Sequence, residues 1–164
     1  MKAVNFIEPG DCLLYRPKGL FGWVIALKTW HQIAHVEVYV GHGQSVASRD
    51  GIGVGLYSWR DTELCAILRP SKNFQIAPAL DVFYRKYRGQ GYDVMGLLRF
   101  AMRAPVDKVR FNNKQFCSEF ATRFYRAGLL DPFNGEDADA IAPFEFLLSP
   151  VFTKYEVSKD GEVS

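Results

Sequence analysis

The chain has 164 residues, 48% of them apolar, enough to bury the core of one domain spanning 1–164. A formal net charge of +2 is too small to argue for nucleic acid or an anionic membrane as the partner, since either usually demands a concentrated basic face. No run of about 18 apolar residues reads as a membrane span, so an integral membrane segment is not expected.

The N-terminus, "MKAVNFIEPGDCLLY", lacks the basic and apolar regions of a signal peptide, and a cytoplasmic location is expected. Within it, "EPGD" reads as a turn feeding a first strand over Cys12–Tyr15. The segment "GLFGWVIALKTW", 19–30, is apolar nearly all round and predicts a buried helix. "AHVEVYVG", 34–41, alternates strictly, with Val36, Val38 and Val40 on one face and His35, Glu37 and Tyr39 on the other, the pattern of a strand. A turn at Gly41–Gly43 leads to a hairpin partner around Gln44–Ser48. "RDGIGVGLY" adds a turn and a short strand, and "ELCAILRP" a further strand stopped by Pro70.

After Pro78 the spacing becomes helical. Leu80, Phe83, Tyr84 and Tyr87 share one face, and Val94, Leu97, Leu98 and Ala101 form a second segment beyond Gly89 and Gly91. The basic side chains between Arg85 and Lys114 read as solvated helix faces. A third helix carries Cys117, with Asn112 or Asn113 as N-cap and Gln115 completing a capping box with Asn112, and it ends at Gly128 before Pro132. "APFEFLLSP" adds a helical turn, a last strand runs near Thr153–Val157, and "KDGEVS" should fray.

Three cysteines, Cys12, Cys65 and Cys117, are odd in number and contain no C-x-x-C pair, which argues for reduced thiols and against a disulfide framework or zinc ribbon. Neither the three histidines nor "GIGVG" has the spacing of a metal or nucleotide site, so no metal and no cofactor is expected. Cys117 differs from the other two cysteines by its position. With Phe120, Ala121 and Phe124 it lies on the apolar face of its helix and near the N-terminus, where unpaired N–H groups and the macrodipole favour a thiolate and can stabilise an oxyanion. A lone cysteine on such a face is most often packing, and what changes that is a partner. His35, on the polar face of its strand, has the chemistry to accept the thiol proton, whereas His31 and His42 fall at a helix end and in a turn.

The pairs "AHVEVYVGHGQSVAS" and "QFCSEFATRFYRAGL", with "PGDCLLY", "GYDVMGLLRF" and "APFEFLLSPVF", resemble the NlpC-type papain-like superfamily in its circularly permuted form. There the histidine strand precedes the cysteine helix, as in YiiX-like proteins and the lecithin:retinol acyltransferase relatives. The resemblance implies an α+β fold, a small antiparallel sheet packed against helices. It also implies a thiol hydrolase, an amidase or peptidase acting through an acyl-enzyme on small or cell-wall peptides. Cys117 would be the nucleophile and His35 the base, with Tyr92 or the Cys117 amide assisting the oxyanion. Relatives that handle lipid acyl groups offer a second reading, and a non-catalytic peptide-binding module a third. A cell-wall substrate would require release by lysis or a partner, given the cytoplasmic expectation.

One position departs from the family pattern. The polar residue that orients the imidazole falls, by ungapped counting, on Ala47, which has no group for that role. Glu37, on the same strand face as His35, and Ser48, if a bulge turns it inward, are the substitutes. Side chains two apart on one strand are rooted ~6–7 Å apart, so Glu37 would have to bend toward His35.

Overall fold

The computed structural model describes residues 1–18, 32–70, 74–93 and 114–164. The predicted helix over 19–30, the segment with Val94, Leu97, Leu98 and Ala101, and the caps Asn112 and Asn113 lie outside them, as does His31.

Six strands form one antiparallel sheet: β1 (Cys12–Tyr15), β2 (His35–Gly41), β3 (Gln44–Arg49), β4 (Gly53–Ser58), β5 (Leu64–Pro70) and, late in the chain, a sixth strand, Phe152–Glu156. Their spatial order is β4, β3, β2, β1, β5 and then the late strand. β1 is interior to the sheet, which explains why all four of its residues are buried without any polar alternation. Cys12 and Leu14 enter the larger core with Val36, Val38, Val46 and Leu68, while Leu13 and Tyr15 enter a second cluster on the opposite face with Leu64 and Ile67. The sheet is therefore covered on both sides.

α1 (Ile76–Val82) continues into a π-helical turn, Phe83–Tyr87. The helix starts before Pro78 rather than after it. Proline is tolerated there because the first turn has no partner for its N–H groups. The π turn, closed by the Arg88 N–H donating to the Phe83 carbonyl at 2.9 Å, changes the helical phase. Phe83 and Tyr87 stay buried while Tyr84, expected beside them, is 50% exposed.

Two short strands, β6 (Gly91–Tyr92) and β7 (Lys114–Gln115), pair in parallel and bring the chain to α2 (Cys117–Ala127). Because Lys114 and Gln115 are extended in that pair, the helix begins at Cys117 itself with Phe116 as its cap, not at Asn112 or Asn113. Phe120, Ala121 and Phe124 are buried as the spacing predicts, but Ser118, Glu119, Thr122 and Tyr125 are buried too. The segment with 3-10 turns at Ala138–Ala140 and Pro143–Leu148 covers that second side, where the Ser118 hydroxyl donates to the Ile141 carbonyl at 2.6 Å. α2 ends at Gly128, where a Cβ would stand 2.1 Å from the Phe74 ring and 2.7 Å from the Gln75 carbonyl. The late strand, β8 (Phe152–Glu156), pairs with β5.

Two details fix the surroundings of α2. Gly53, at φ +100°, meets the neck between α1 and β6 so closely that a Cβ there would be 2.2 Å from the Gln90 carbonyl oxygen, which accepts the Val54 N–H at 2.7 Å. The last residues do not fray. Val163 N–H donates to the Met1 carbonyl at 2.9 Å, Ala3 N–H to that of Gly161 at 2.9 Å, and Glu156 and Ser164 exchange a pair of backbone bonds at 3.1 Å. Among the described residues no helix is long and apolar enough to cross a membrane.

Candidate active site

Cys117 is the first residue of α2 and is 1% exposed. Its amide is one of the helix N–H groups with no intrahelical acceptor. The helix start is reinforced by Glu119, whose carboxylate accepts the Phe116 N–H at 3.4 Å and pairs with Arg123 at 2.8 Å. Burial raises the Glu119 carboxyl to about 7 against the opposing pull of Arg123.

The thiol meets the start of β2. Its Sγ lies 4.0 Å from the Ala34 carbonyl oxygen, and its interaction with the next side chain along, His35, helps to raise the imidazole pKa. His35 also engages Glu37, Nε2 to Oε1 at 3.1 Å, so the two side chains do bend toward each other from alternate positions of one strand. With Nε2 engaged by the carboxylate, Nδ1 is the ring nitrogen left for the thiol. The Tyr15 ring, directly across from His35 in the sheet, lies 6.0 Å away centroid to centroid and limits the tilt of the imidazole.

Glu37 has no exposed surface, and a buried carboxylate must be paired to remain charged. Besides His35 it accepts a short hydrogen bond from the Ser45 hydroxyl and two bonds from Arg49, Nε to Oε1 at 2.9 Å and a terminal nitrogen to Oε2 at 3.2 Å. Arg49 is itself held over the Tyr57 ring at 4.3 Å and donates to the Ser58 carbonyl at 3.1 Å. Burial pushes the Glu37 carboxyl up, but His35, Arg49 and Ser45 together bring it down to about 2. For His35 burial favours the neutral ring, yet the hydrogen bonds and negative charges of Cys117 and Glu37 raise it to about 9. At neutral pH the site therefore holds an imidazolium beside the Glu37 carboxylate.

The register explains the missing residue at 47. Pairing of Val38 with Val46 and Tyr39 with Ser45 sets Glu37 across from Ala47, so the small side chain lies beside the carboxylate. Ser45 and Arg49, which grip that carboxylate, are at alternate positions of β3 on either side of Ala47. Neither was singled out from sequence. The available signal was period-2 alternation: Ser45, Ala47 and Arg49 share one strand face, and a buried glutamate needs such donors.

Ser48 is not part of this group. It faces the other way, and its hydroxyl donates to the Gln115 carbonyl at 2.5 Å, tying β3 to the residue two before Cys117. Tyr92 pairs with that same Gln115 across the β6–β7 ladder. Burial first, and then the nearby charges of Cys117, Asp50 and Asp93, push its phenol well above the ordinary tyrosine range, so it stays protonated. His42 occupies the β2–β3 turn at φ +53°. Cys12 is fully buried and Cys65 half-buried. Among the described residues no group of three His, Cys, Asp or Glu side chains could hold a metal ion.

The chemistry available is thus a thiol, an imidazole that shares its proton, a carboxylate that orients and charges the imidazole, and donors from the Cys117 amide and the Tyr92 phenol. Compared with known proteins, the chain matches no family model, and no curated protein is similar enough in sequence to count as a match.

Proposed function

We propose that the protein is a thiol hydrolase, an amidase or peptidase of the permuted papain-like kind that acts on small peptides such as cell-wall fragments. The observation that carries this reading is that the Cys117 sulfur, at the start of its helix, lies 4.0 Å from the carbonyl of the residue before His35, whose imidazole hydrogen-bonds to the buried Glu37. That is the arrangement of nucleophile, base and orienting group that thiol acyl transfer needs.

In the proposed reaction the Cys117 sulfur attacks the amide carbonyl carbon while its proton rests on His35 Nδ1. The oxyanion is met by the Cys117 amide and Tyr92. Collapse breaks the C–N bond, the imidazolium returns its proton to the departing amine, and a thioester remains on Cys117. Water, deprotonated by His35, then attacks that thioester and releases the acid and the free thiol. Glu37 stays ionised throughout and holds the ring in place, and Arg49 and Ser45 hold Glu37.

Competitive alkylation tests the reading because accessibility and chemistry predict opposite orders. If exposure governed, iodoacetamide would reach half-buried Cys65 before Cys117, which is 1% exposed. The hydrolase reading expects Cys117 to react first, and His35→Ala to slow both that alkylation and the hydrolysis of peptide amides by about 10²-fold or more. Equal, slow labelling of all three cysteines would sink it and leave a binding module.

A further inference from the structure

A cavity of about 340 Å³ has a lining that includes Arg16, Ile33, Cys65, Leu147, Lys154 and Glu156. Its size suits a small ligand. Arg16 follows Tyr15, the strand partner of His35, and the Ala34 N–H donates to the Tyr15 carbonyl at 3.0 Å. Ile33 precedes Ala34, whose carbonyl oxygen is 4.0 Å from the Cys117 sulfur. One end of the cavity is therefore adjacent to the chain that carries the dyad.

The charge of the lining selects what enters. Lys154 is neutralised by Glu156, Nζ to Oε1 at 2.8 Å. Arg16, by contrast, has no carboxylate partner among the described residues. Among the described residues its guanidinium makes one long bond, 3.4 Å, to the Leu64 carbonyl. One uncompensated guanidinium, against an apolar wall of Ile33, Ala66 and Leu147, matches a single carboxylate on a small apolar or amide-bearing body. Glu156 on the same lining disfavours a dianion.

We propose that this cavity is a subsite for a ligand bearing one carboxylate, bound by Arg16. Resting on the hydrolase reading above, the subsite would hold a carboxylate-bearing part of the peptide whose amide is presented to Cys117.

The half-buried thiol of Cys65, which lines the same cavity, serves as an internal probe. In a Cys117→Ala background, Cys65 is reacted with anionic 2-sulfonatoethyl methanethiosulfonate and with its cationic trimethylammonioethyl counterpart. Each forms a mixed disulfide with release of methanesulfinate. Relative to their rates with free cysteine, the anionic reagent is expected to be favoured about tenfold. Arg16→Gln should remove that preference and Arg16→Lys retain it. Millimolar N-acetylglycine should protect Cys65, while neutral N-acetylglycinamide should not. The proposal is overturned by a preference unchanged in Arg16→Gln, by equal protection from both compounds, or by a Cys65 that neither reagent reaches. If Arg16→Gln does not fold, the comparison of the two glycine compounds on the Arg16 protein decides alone. Because the nucleophile is absent, failure here leaves the hydrolase reading standing, and an inert Cys117 would leave this result untouched.

Discussion

Glu37 shows how one buried side chain sets the response of the site to pH. Held at about 2 against an ordinary 4.5, it contributes stability that is present above pH 4.5 and lost as the pH falls through 2. His35, raised to about 9 from 6.5, contributes stability that is fully present below pH 6.5 and lost as the pH rises through 9. Thermal unfolding followed against pH should therefore give its highest midpoints between about pH 4.5 and 6.5, with an alkaline decline centred above 6.5. Glu37→Ala is expected to move that decline to lower pH and to cost about 3–5 kcal/mol, because Arg49 and His35 then lose their buried counter-charge. At this scale the sequence was informative about Cys117, His35 and Glu37, because strand alternation and helix position are local properties. It was silent about Arg49 and Ser45, whose role depends on which strand lies next to β2.

At the scale of elements, the strands were legible because their alternation and turns are written in neighbouring residues: β1 spans the predicted Cys12–Tyr15, β2 begins one residue later than predicted and β3 runs one residue further. The start of α2 was not. Asn112 and Gln115 offer a plausible capping box, but the tertiary pairing of β7 with β6 overrides it and delays the helix to Cys117. The bond from Ser48 to the Gln115 carbonyl belongs to the same arrangement, so Ser48 acts on the position of Cys117 rather than on the imidazole. Ser48→Ala leaves that buried carbonyl with only the longer bond from the Asp93 N–H, 3.3 Å, and should cost about 1 kcal/mol in denaturant unfolding. It should also lower kcat on a peptide amide while leaving the pH profile set by His35 and Glu37 in place. A changed profile with unchanged stability would instead assign Ser48 to the proton relay.

For the molecule as a whole, the fold joins distant parts of the chain, such as Ala34 with Cys117 and Met1 with Val163. The polar, glycine-containing end of the sequence looked loose because its partners are at the other terminus. Removing residues 161–164 deletes the bonds from Ala3 to Gly161, from Val163 to Met1 and between Glu156 and Ser164. A loss of about 1–3 kcal/mol, read as a fall of several degrees in Tm, is expected. An unchanged Tm would mean that these bonds are offset in the unfolded chain. Gly53 bears on the whole in a different way, since it touches neither Cys117 nor His35. A methyl group at that position would wedge the Gln90 backbone outward, and Tyr92 lies two residues further on. On the proposed hydrolase reading, Gly53→Ala should leave alkylation of Cys117 fast while slowing hydrolysis of peptide amides. Such uncoupling of reactivity from turnover would trace part of the reaction to the packing of the β3–β4 hairpin against the Gln90 backbone.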